Sequence, residues 1–428
     1  MEISALGLAP ALSEAVRRAH GLHLASPVQA QAIPVLLEGR DALVSAPTGA
    51  GKTLAYGLVL LQRLLQSPAH PPARRTGAAP VRNLVLVPTR ELAMQVSQSL
   101  RSVCQYLPQL RRVHAVHGGV SINPQMLALR GGSDLLVATP GRLLDLIAHN
   151  AIGLAAVECL VLDEADRMLE LGFADELQKV LSLLPRRRQT IFVSATLPPA
   201  TRALAAGLLE QPVEICPEPS AADTPDISQR AYQVDTPRRT QLLRQLIVHE
   251  KWSRVLVFVA TKLATEIVAD KLRKAGIDAE PFHGELSQGK RNQVLADFKT
   301  SRISVVVATD VAARGLDIAD LPVVVNYDLP RSTADYTHRI GRTGRAGASG
   351  LAVSFVTADG AAHFGLIQKR HAVQIALDIW PGFTPTEAPP VGTPTGPATG
   401  NGGIKGKRPS KKDKLRAAAQ AASEGHTG

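Results

Sequence analysis

A short β-branched or leucine-rich run, then a polar or glycine-rich turn, then an amphipathic helical stretch: the first half of this 428-residue chain repeats that order throughout. Few folds accept it. Strands of this kind with helices between them predict a parallel α/β architecture. The candidate strands are Ala42–Ser45, 83–87, 113–117, 135–138, 159–162 and 190–193, each followed at once by a run of chemically distinctive residues. In an open parallel sheet ligand groups gather outside the carboxyl ends of strands, so this placement is what a working site requires. A second series at 254–259, 279–282, 304–308, 323–327 and 351–356 predicts a second sheet.

The stretch 211–228 between the two series carries Pro212, Pro217, Pro219 and Pro225 among small polar residues, which suits a linker. The expected organisation is a first lobe at 1–212, a linker at 213–228, a second lobe at 229–378 and a disordered tail at 379–428. That tail is rich in Pro, Thr and Gly to Gly403, then basic and Ala-rich, with a frayed helix expected around 411–422. A loop at 67–80, with Pro68, Pro71, Pro72, Arg74 and Arg75, is expected to be exposed.

The length exceeds one ordinary core and fits two domains plus tails. No apolar run nears the roughly 18 residues of a membrane span, and residues 1–10 lack the pattern of a secretory signal. Cys104, Cys159 and Cys216 form no CxxC pair, which argues against a metal ribbon and a disulfide framework. A cytoplasmic monomer without membrane attachment is the expectation. The net charge of +11 makes a polyanion a plausible partner, and Lys405, Lys407, Arg408, Lys411, Lys412, Lys414 and Arg416 carry part of it. That run reads equally as a solvated end or as electrostatic help in holding nucleic acid. Aromatic residues at 4% are too few for a surface that reads bases by stacking, so a nucleic acid is expected to be held by its backbone.

Ala46-Pro47-Thr48-Gly49-Ala50-Gly51-Lys52-Thr53 lies between a predicted strand and a predicted helix at 54–65. Glycines let backbone N–H groups close around phosphates, Lys52 reaches the β and γ phosphates of ATP, and the Thr53 hydroxyl can ligate Mg²⁺. A glycine-rich turn that merely starts a helix leaves Gly-Lys-Thr unexplained. Ala46 stands where the strict pattern begins with Gly, which weakens a kinase or GTPase reading. Asp163-Glu164 ends the strand at 159–162, where the Mg²⁺-binding aspartate of a P-loop ATPase belongs, and Glu164 is placed to orient or deprotonate the attacking water. Alone, such a pair is more often a helix cap; beside the phosphate loop the order reverses.

Asp163-Glu164-Ala165-Asp166 spells the name of the DEAD-box RNA helicases, and the chain resembles that family over about residues 3 to 357. Gln29 and its proline-rich surroundings look like the Q motif. Pro88-Thr89-Arg90-Glu91-Leu92, Gly118-Gly119 and Thr139-Pro140-Gly141-Arg142 look like the first lobe's RNA-contact motifs, and Ser194-Ala195-Thr196 like the coupling motif. Val257-Phe258-Val259, Gln288 with Arg291, Thr309-Asp310 through Arg314-Gly315-Leu316-Asp317, and His338-Arg339-Ile340-Gly341-Arg342-Thr343-Gly344-Arg345 match the later motifs. Single members carry little weight; the ordered series does. Among bacterial members the chain is most similar to the RhlE kind, by Leu6-Gly7-Leu8 and the basic loop before Val81.

The resemblance implies two RecA-like lobes in tandem and an RNA-dependent ATPase that unwinds RNA duplexes or remodels ribonucleoproteins. It implies that Arg342 and Arg345 complete the γ-phosphate site, that Asp317 contacts the ribose, and that His338 with Asp166, Ser194 and Thr196 couples nucleotide to RNA. RNA, single-stranded or duplex, would meet Pro88, Thr89, Arg90, Gly119, Thr139, Arg142 and Thr309 through phosphate and 2′-OH groups, largely without base reading. Ribosomal or RNA-decay proteins are further partners the family suggests. The usual Q-motif aromatic is replaced by Ile3, and Leu22 and Ala25 also depart from the pattern, so adenine stacking is expected to be looser. The Gln29 amide is expected to pair with the N6 and N7 edge of adenine. The competing readings are a nucleotide-dependent RNA clamp with weak unwinding, a DNA helicase of the same superfamily and a small-molecule kinase. The last leaves a second lobe without a role.

Overall fold

The computed structural model describes residues 1–47, 49–66, 79–107, 110, 112–217, 226–313, 321–344 and 349–387. Its first sheet contains β1 (Ala42–Ser45), β2 (Ala79–Leu86), β3 (Val113–Val116), β4 (Ser133–Ala138), β5 (Ile152–Gly153), β6 (Cys159–Leu162), β7 (Gln189–Ser194) and β8 (Val213–Ile215). They lie in the order β3-β4-β2-β6-β7-β1-β8, with β5 beside β2, and every pairing is parallel.

The period-2 alternation of a strand sorts side chains onto opposite faces. Val44, Val85, Val137, Val161 and Val193 join one core with the helices Pro27–Leu37, Lys52–Gln66 and Arg90–Cys104, while Leu43, Leu84, Leu136, Leu160 and Phe192 join another on the far face. Burial on both sides is why these strands read as unbroken apolar runs.

The second sheet contains β9 (Ile227–Gln233), β10 (Val255–Val259), β11 (Ala279–Phe282), β12 (Val305–Thr309), β13 (Val323–Asn326), β14 (Gly350–Val356) and β15 (Leu377–Asp378). Its order is β11-β12-β10-β13-β14-β9-β15. Strand for strand this repeats the first sheet's path, with β9 answering β1, β13 answering β6 and β14 answering β7. The expected pair of parallel-sheet α/β lobes is present, and among the described residues no helix is long and apolar enough to cross a membrane.

Three boundaries differ from the sequence expectation. The first sheet does not stop at 212: β8 pairs with β1, Val213 opposite Ala42. The second begins at Ile227, inside the stretch assigned to the linker, because β9 (ISQRAYQ) is too polar to read as a strand yet lies beside β14 along its whole length. Order also continues past 378, since Trp380 packs against the second lobe's core and Phe383 is buried within it. Residues 67–78, 218–225 and 388–428, which hold most of the basic loop, half of the linker and the basic tail, lie outside the described residues, as do Thr48, Asp317 and Arg345.

Candidate functional site

After β1 the chain turns through the phosphate loop and enters the helix Lys52–Gln66. Gly49 and Gly51 have φ of 90° and 91°, which only glycine adopts without strain. Space forbids a side chain as well: a Cβ on Gly51 would lie 2.5 Å from Gln29 Nε2. Gln29 explains that closeness. It completes the capping box of the helix Pro27–Leu37, its Oε1 accepting from Ser26 N at 3.0 Å, and its Nε2 donates to the Gly51 carbonyl at 3.1 Å. The amide expected to face adenine is therefore engaged at both ends in bracing the loop. Lys52 is buried and its Nζ donates to the Ala46 carbonyl. Ile3 is buried in the first lobe's core, with its N–H on the His23 carbonyl at 3.0 Å.

At the end of β6, Asp163 is buried. Its Oδ2 accepts from Tyr56 Oη at 2.7 Å and its Oδ1 from Glu164 N at 2.9 Å. Burial raises the carboxyl pKa and the Lys52 charge opposes the rise. Glu164 sits at φ 50°, ψ 49°, left-handed for a residue with a side chain, at the N-cap of the helix Ala165–Glu170. Such a conformation costs on the order of 1–3 kcal/mol and persists where surrounding structure enforces it. Burial and the charge of Asp163 raise the Glu164 carboxyl, while Arg342, Arg167 and Lys52 pull it back. Arg342 belongs to the second lobe, so the two lobes bring a guanidinium and this carboxylate within each other's field.

Asp166, next along the same turn, accepts from Thr196 Oγ1 at 2.6 Å and Thr196 N at 3.0 Å, and Ser194 Oγ donates to the Thr196 carbonyl at 2.7 Å. The end of β7 is thereby hooked to the acidic turn. His338 faces the same place from the second lobe. Burial first, then Arg167, lowers its pKa to about 4, and its Nδ1 has no hydrogen-bond partner among the described residues. Arg339, which the sequence groups with Arg342, is a structural residue. It is 2% exposed and forks onto both Asp310 oxygens at 2.6 and 2.7 Å.

The ends of the neighbouring strands β2, β3 and β4 carry the candidate RNA face. Thr89, after Pro88, caps the helix Arg90–Cys104 by accepting from Leu92 N at 3.3 Å. Arg90 lies across Gly119 so closely that a Cβ there would fall 1.8 Å from its Nη1. Thr139 is the N-cap of the helix Pro140–Ala148, and Arg142 Nη2 donates to the Val120 carbonyl at 2.8 Å, beside Gly119. Arg142 Nε lies 3.6 Å from Asp145 Oδ2, and the buried Nη1 has no hydrogen-bond partner among the described residues, which is costly unless an acceptor arrives. Thr309 ends β12 in the other lobe. Sequence reading gave no role to Tyr56, Arg167 or Asp335. Tyr56 had a local signal, lying one helical turn beyond Lys52; the other two had none.

Residues 26–204 match the family model described as DEAD/DEAH box helicase, and 238–347 match the helicase conserved C-terminal domain. The chain is 44% identical over 333 residues to the ATP-dependent RNA helicase SrmB of Escherichia coli (strain K12), covering 77% of this chain and 73% of that protein. It is 39% identical over 352 residues to the DEAD-box ATP-dependent RNA helicase CshA of Bacillus cereus (strain ATCC 10987 / NRS 248), covering 82% of this chain but only 65% of the relative's length. Among solved structures, S. cerevisiae Dbp5 bound to RNA and ADP BeF3 superposes with a TM-score of 0.76 at 29% identity, covering 88% of this chain and 95% of that one. Mss116p bound to ssRNA and AMP-PNP shares the fold at the same TM-score and 24% identity. At 44% identity over most of both chains, and with the two helicase family models matched in tandem, the chain belongs to the DEAD-box family of ATP-dependent RNA helicases.

Proposed function

We propose that the protein hydrolyses ATP when RNA holds its two lobes together, and uses the cycle to part RNA duplexes locally or to remodel RNA–protein complexes. The observation that carries this reading is that the two lobes meet beside the acidic turn, Arg167 Nη1 of one lying 3.3 Å from Asp335 Oδ1 of the other, on the helix that leads to Arg342. The resemblance in lobe arrangement to Dbp5 bound to RNA and ADP BeF3 supports it.

Lys52 and the loop from Ala46 to Gly51 cradle the phosphates, its N–H donors being those of Thr48, Gly49, Ala50 and Gly51 since Pro47 has none, and Asp317 takes the ribose. Glu164 orients the attacking water. Arg342 and Arg345 meet the charge that develops on the transferred group, a contribution typically worth about 10³ to 10⁵ in rate. One hydroxyl, Thr53, and one carboxylate, Asp163, fit Mg²⁺, which takes one or two carboxylates and fills its remaining positions with phosphate oxygens and water. No cage of three or more His, Cys, Asp or Glu competes with them among the described residues. Mg²⁺ held there neutralises phosphate charge. Asp166, Ser194, Thr196 and His338 carry the state of the cleft toward the RNA face at Pro88, Thr89, Arg90, Gly119, Thr139, Arg142 and Thr309. These groups suit phosphates and ribose hydroxyls, so RNA of either strandedness is bound with little regard to sequence. The setting we infer is a cytoplasmic monomer, with ribosomal or RNA-decay proteins as partners.

An ATPase titration with single-stranded RNA and with DNA, on wild type and Lys52→Ala, tests the proposal. Expected are a low rate without RNA, a rise on adding RNA but not DNA, and loss of both rates in Lys52→Ala. A rate indifferent to RNA sinks it; stimulation without ATP-driven duplex release would favour a clamp.

A further inference from the structure

Two helices hold the halves of the proposed hydrolytic site. Ala165–Glu170 has Glu164 as its N-cap, and Thr333–Ile340 ends two residues before Arg342. A charged contact bridges them: Arg167 Nη1 lies 3.1 Å from Glu170 Oε2 in its own lobe and 3.3 Å from Asp335 Oδ1 in the other. The side chains of Arg167 and Asp335 are only 6% and 13% exposed. So dry a pair is costly to break, because each charge left behind loses its opposite charge across the lobes.

Both ends are anchored. Asp335 N donates to Ser332 Oγ at 3.1 Å and the Ser332 hydroxyl donates to Asp335 Oδ2 at 2.8 Å, which fixes the carboxylate in the first turn of its helix. Arg167 N donates to Asp166 Oδ1 at 3.0 Å, and Asp166 in turn holds Thr196. A shift of Asp335 is thus transmitted to the turn that carries Glu164.

We propose that Arg167 is a positioning residue for hydrolysis: by pinning the start of the Thr333–Ile340 helix to the acidic turn, it sets Arg342 against Glu164 when the lobes close. The inference rests on the roles given to Glu164 and Arg342 above. Arg167 touches no reacting atom and acts through those two residues. The bland alternative is that Arg167 merely secures its own short helix through Glu170.

The test measures RNA-stimulated kcat, affinity for a fluorescent ATP analogue without RNA, and thermal midpoint on the full chain. Arg167→Gln and Asp335→Asn are each expected to lower kcat about 10- to 100-fold, the scale of a misplacement near 1 Å. Analogue affinity should stay within about threefold, as befits loss of an interaction made only on the way to reaction. The double variant should lose no more than either single one, since each removes the same contact. Asp335→Glu should recover most of the rate, and Glu170→Gln should resemble wild type. Losses that multiply in the double variant, or a fall in Glu170→Gln equal to that of Arg167→Gln, overturn the proposal. If Arg167→Gln does not fold, the contrast between Asp335→Asn and Asp335→Glu decides. Glu164→Gln and Arg342→Ala run alongside: wild-type turnover in both breaks the hydrolytic reading itself, whereas their failure beside an active Arg167→Gln breaks only this inference.

Discussion

Arg291 Nη2 lies 2.6 Å from Glu91 Oε1, and the two belong to different lobes. Glu91 stands in the first turn of the helix Arg90–Cys104, which Thr89 caps, while Arg291 stands in the first turn of the helix Gln288–Lys299. Arg291 is 1% exposed, donates to the His283 carbonyl at 3.0 Å and lies 4.5 Å over the Phe282 ring. Burial lowers its pKa and Glu91 opposes that. The contact therefore belongs to the touching lobes and sits beside residues proposed to grip RNA.

Arg291→Gln is expected to weaken closure without disturbing the phosphate loop. Breaking a buried pair costs about 3–5 kcal/mol when a charge is left behind. Part of that is recovered by hydration once the lobes part, so the RNA needed for half-maximal ATPase should rise about 10- to 100-fold. An RNA titration that superposes on wild type would show that this pair does not bear on closure.

The local half of the site was legible in the sequence and the interlobe half was not, for a physical reason. Phosphate chemistry fixes residue types at consecutive positions from Ala46 to Thr53, and two-sided burial marks β1, β6 and β10 as apolar runs. Arg167 and Asp335 are 168 positions apart, and a pairing made only by tertiary packing leaves no periodic trace in either segment. Arg339 shows the converse. Its place among the site arginines hid a structural role that only the Asp310 carboxylate opposite it reveals. Strand β9 escaped because Ser228 and Arg230 face solvent.

Tyr56→Phe should lower stability more than its size suggests. The hydroxyl it removes is the 2.7 Å donor to Asp163 Oδ2, and an acceptor left unsatisfied in a buried site costs about 1–3 kcal/mol. Thermal unfolding of the two proteins side by side measures this, and saturating Mg²⁺–ATP should narrow the gap by supplying Asp163 with another partner. Equal midpoints without nucleotide would mean that the bond contributes nothing.

Acid should destabilise the protein through His338. Its folded pKa near 4 lies below the ordinary histidine value near 6.5, so the unfolded chain binds the proton more readily. The contribution is complete above about pH 6.5 and is lost as pH falls toward 4. Asp163 and Glu164, held above the usual carboxylate range by burial, act in the opposite sense over part of that window. The informative measurement is thus a difference: denaturant midpoints at pH 7.5 and 5.0 for wild type and His338→Gln. The variant should lose less stability on acidification, and parallel losses would remove His338 as the cause.

The second lobe should need the chain through Glu387, not merely to 378. Trp380 packs edge-on against Tyr232 and His249, with ring centroids 5.7 and 5.3 Å away, and its Nε1 donates to Gln245 Oε1 at 3.2 Å. Phe383 is 2% exposed beneath the Arg238 guanidinium, 4.5 Å over its ring. Beyond it Asp235 accepts from Thr386 N, Thr386 Oγ1 and Glu387 N at 2.8–3.0 Å, and Glu387 Oε2 accepts from Thr236 N at 3.0 Å. These bonds strap the segment across the start of the helix Arg239–His249. Truncating a buried aromatic ring costs about 3–5 kcal/mol, a large share of the stability of a single lobe. A chain ending at Glu387 should therefore melt with the full-length protein. One ending at 378 should melt well below it or fail to fold, and Phe383→Ala should fall between. Coincident melting of the chains ending at 378 and 387 would mean that the aromatic contacts and the Asp235 bonds are incidental to the lobe.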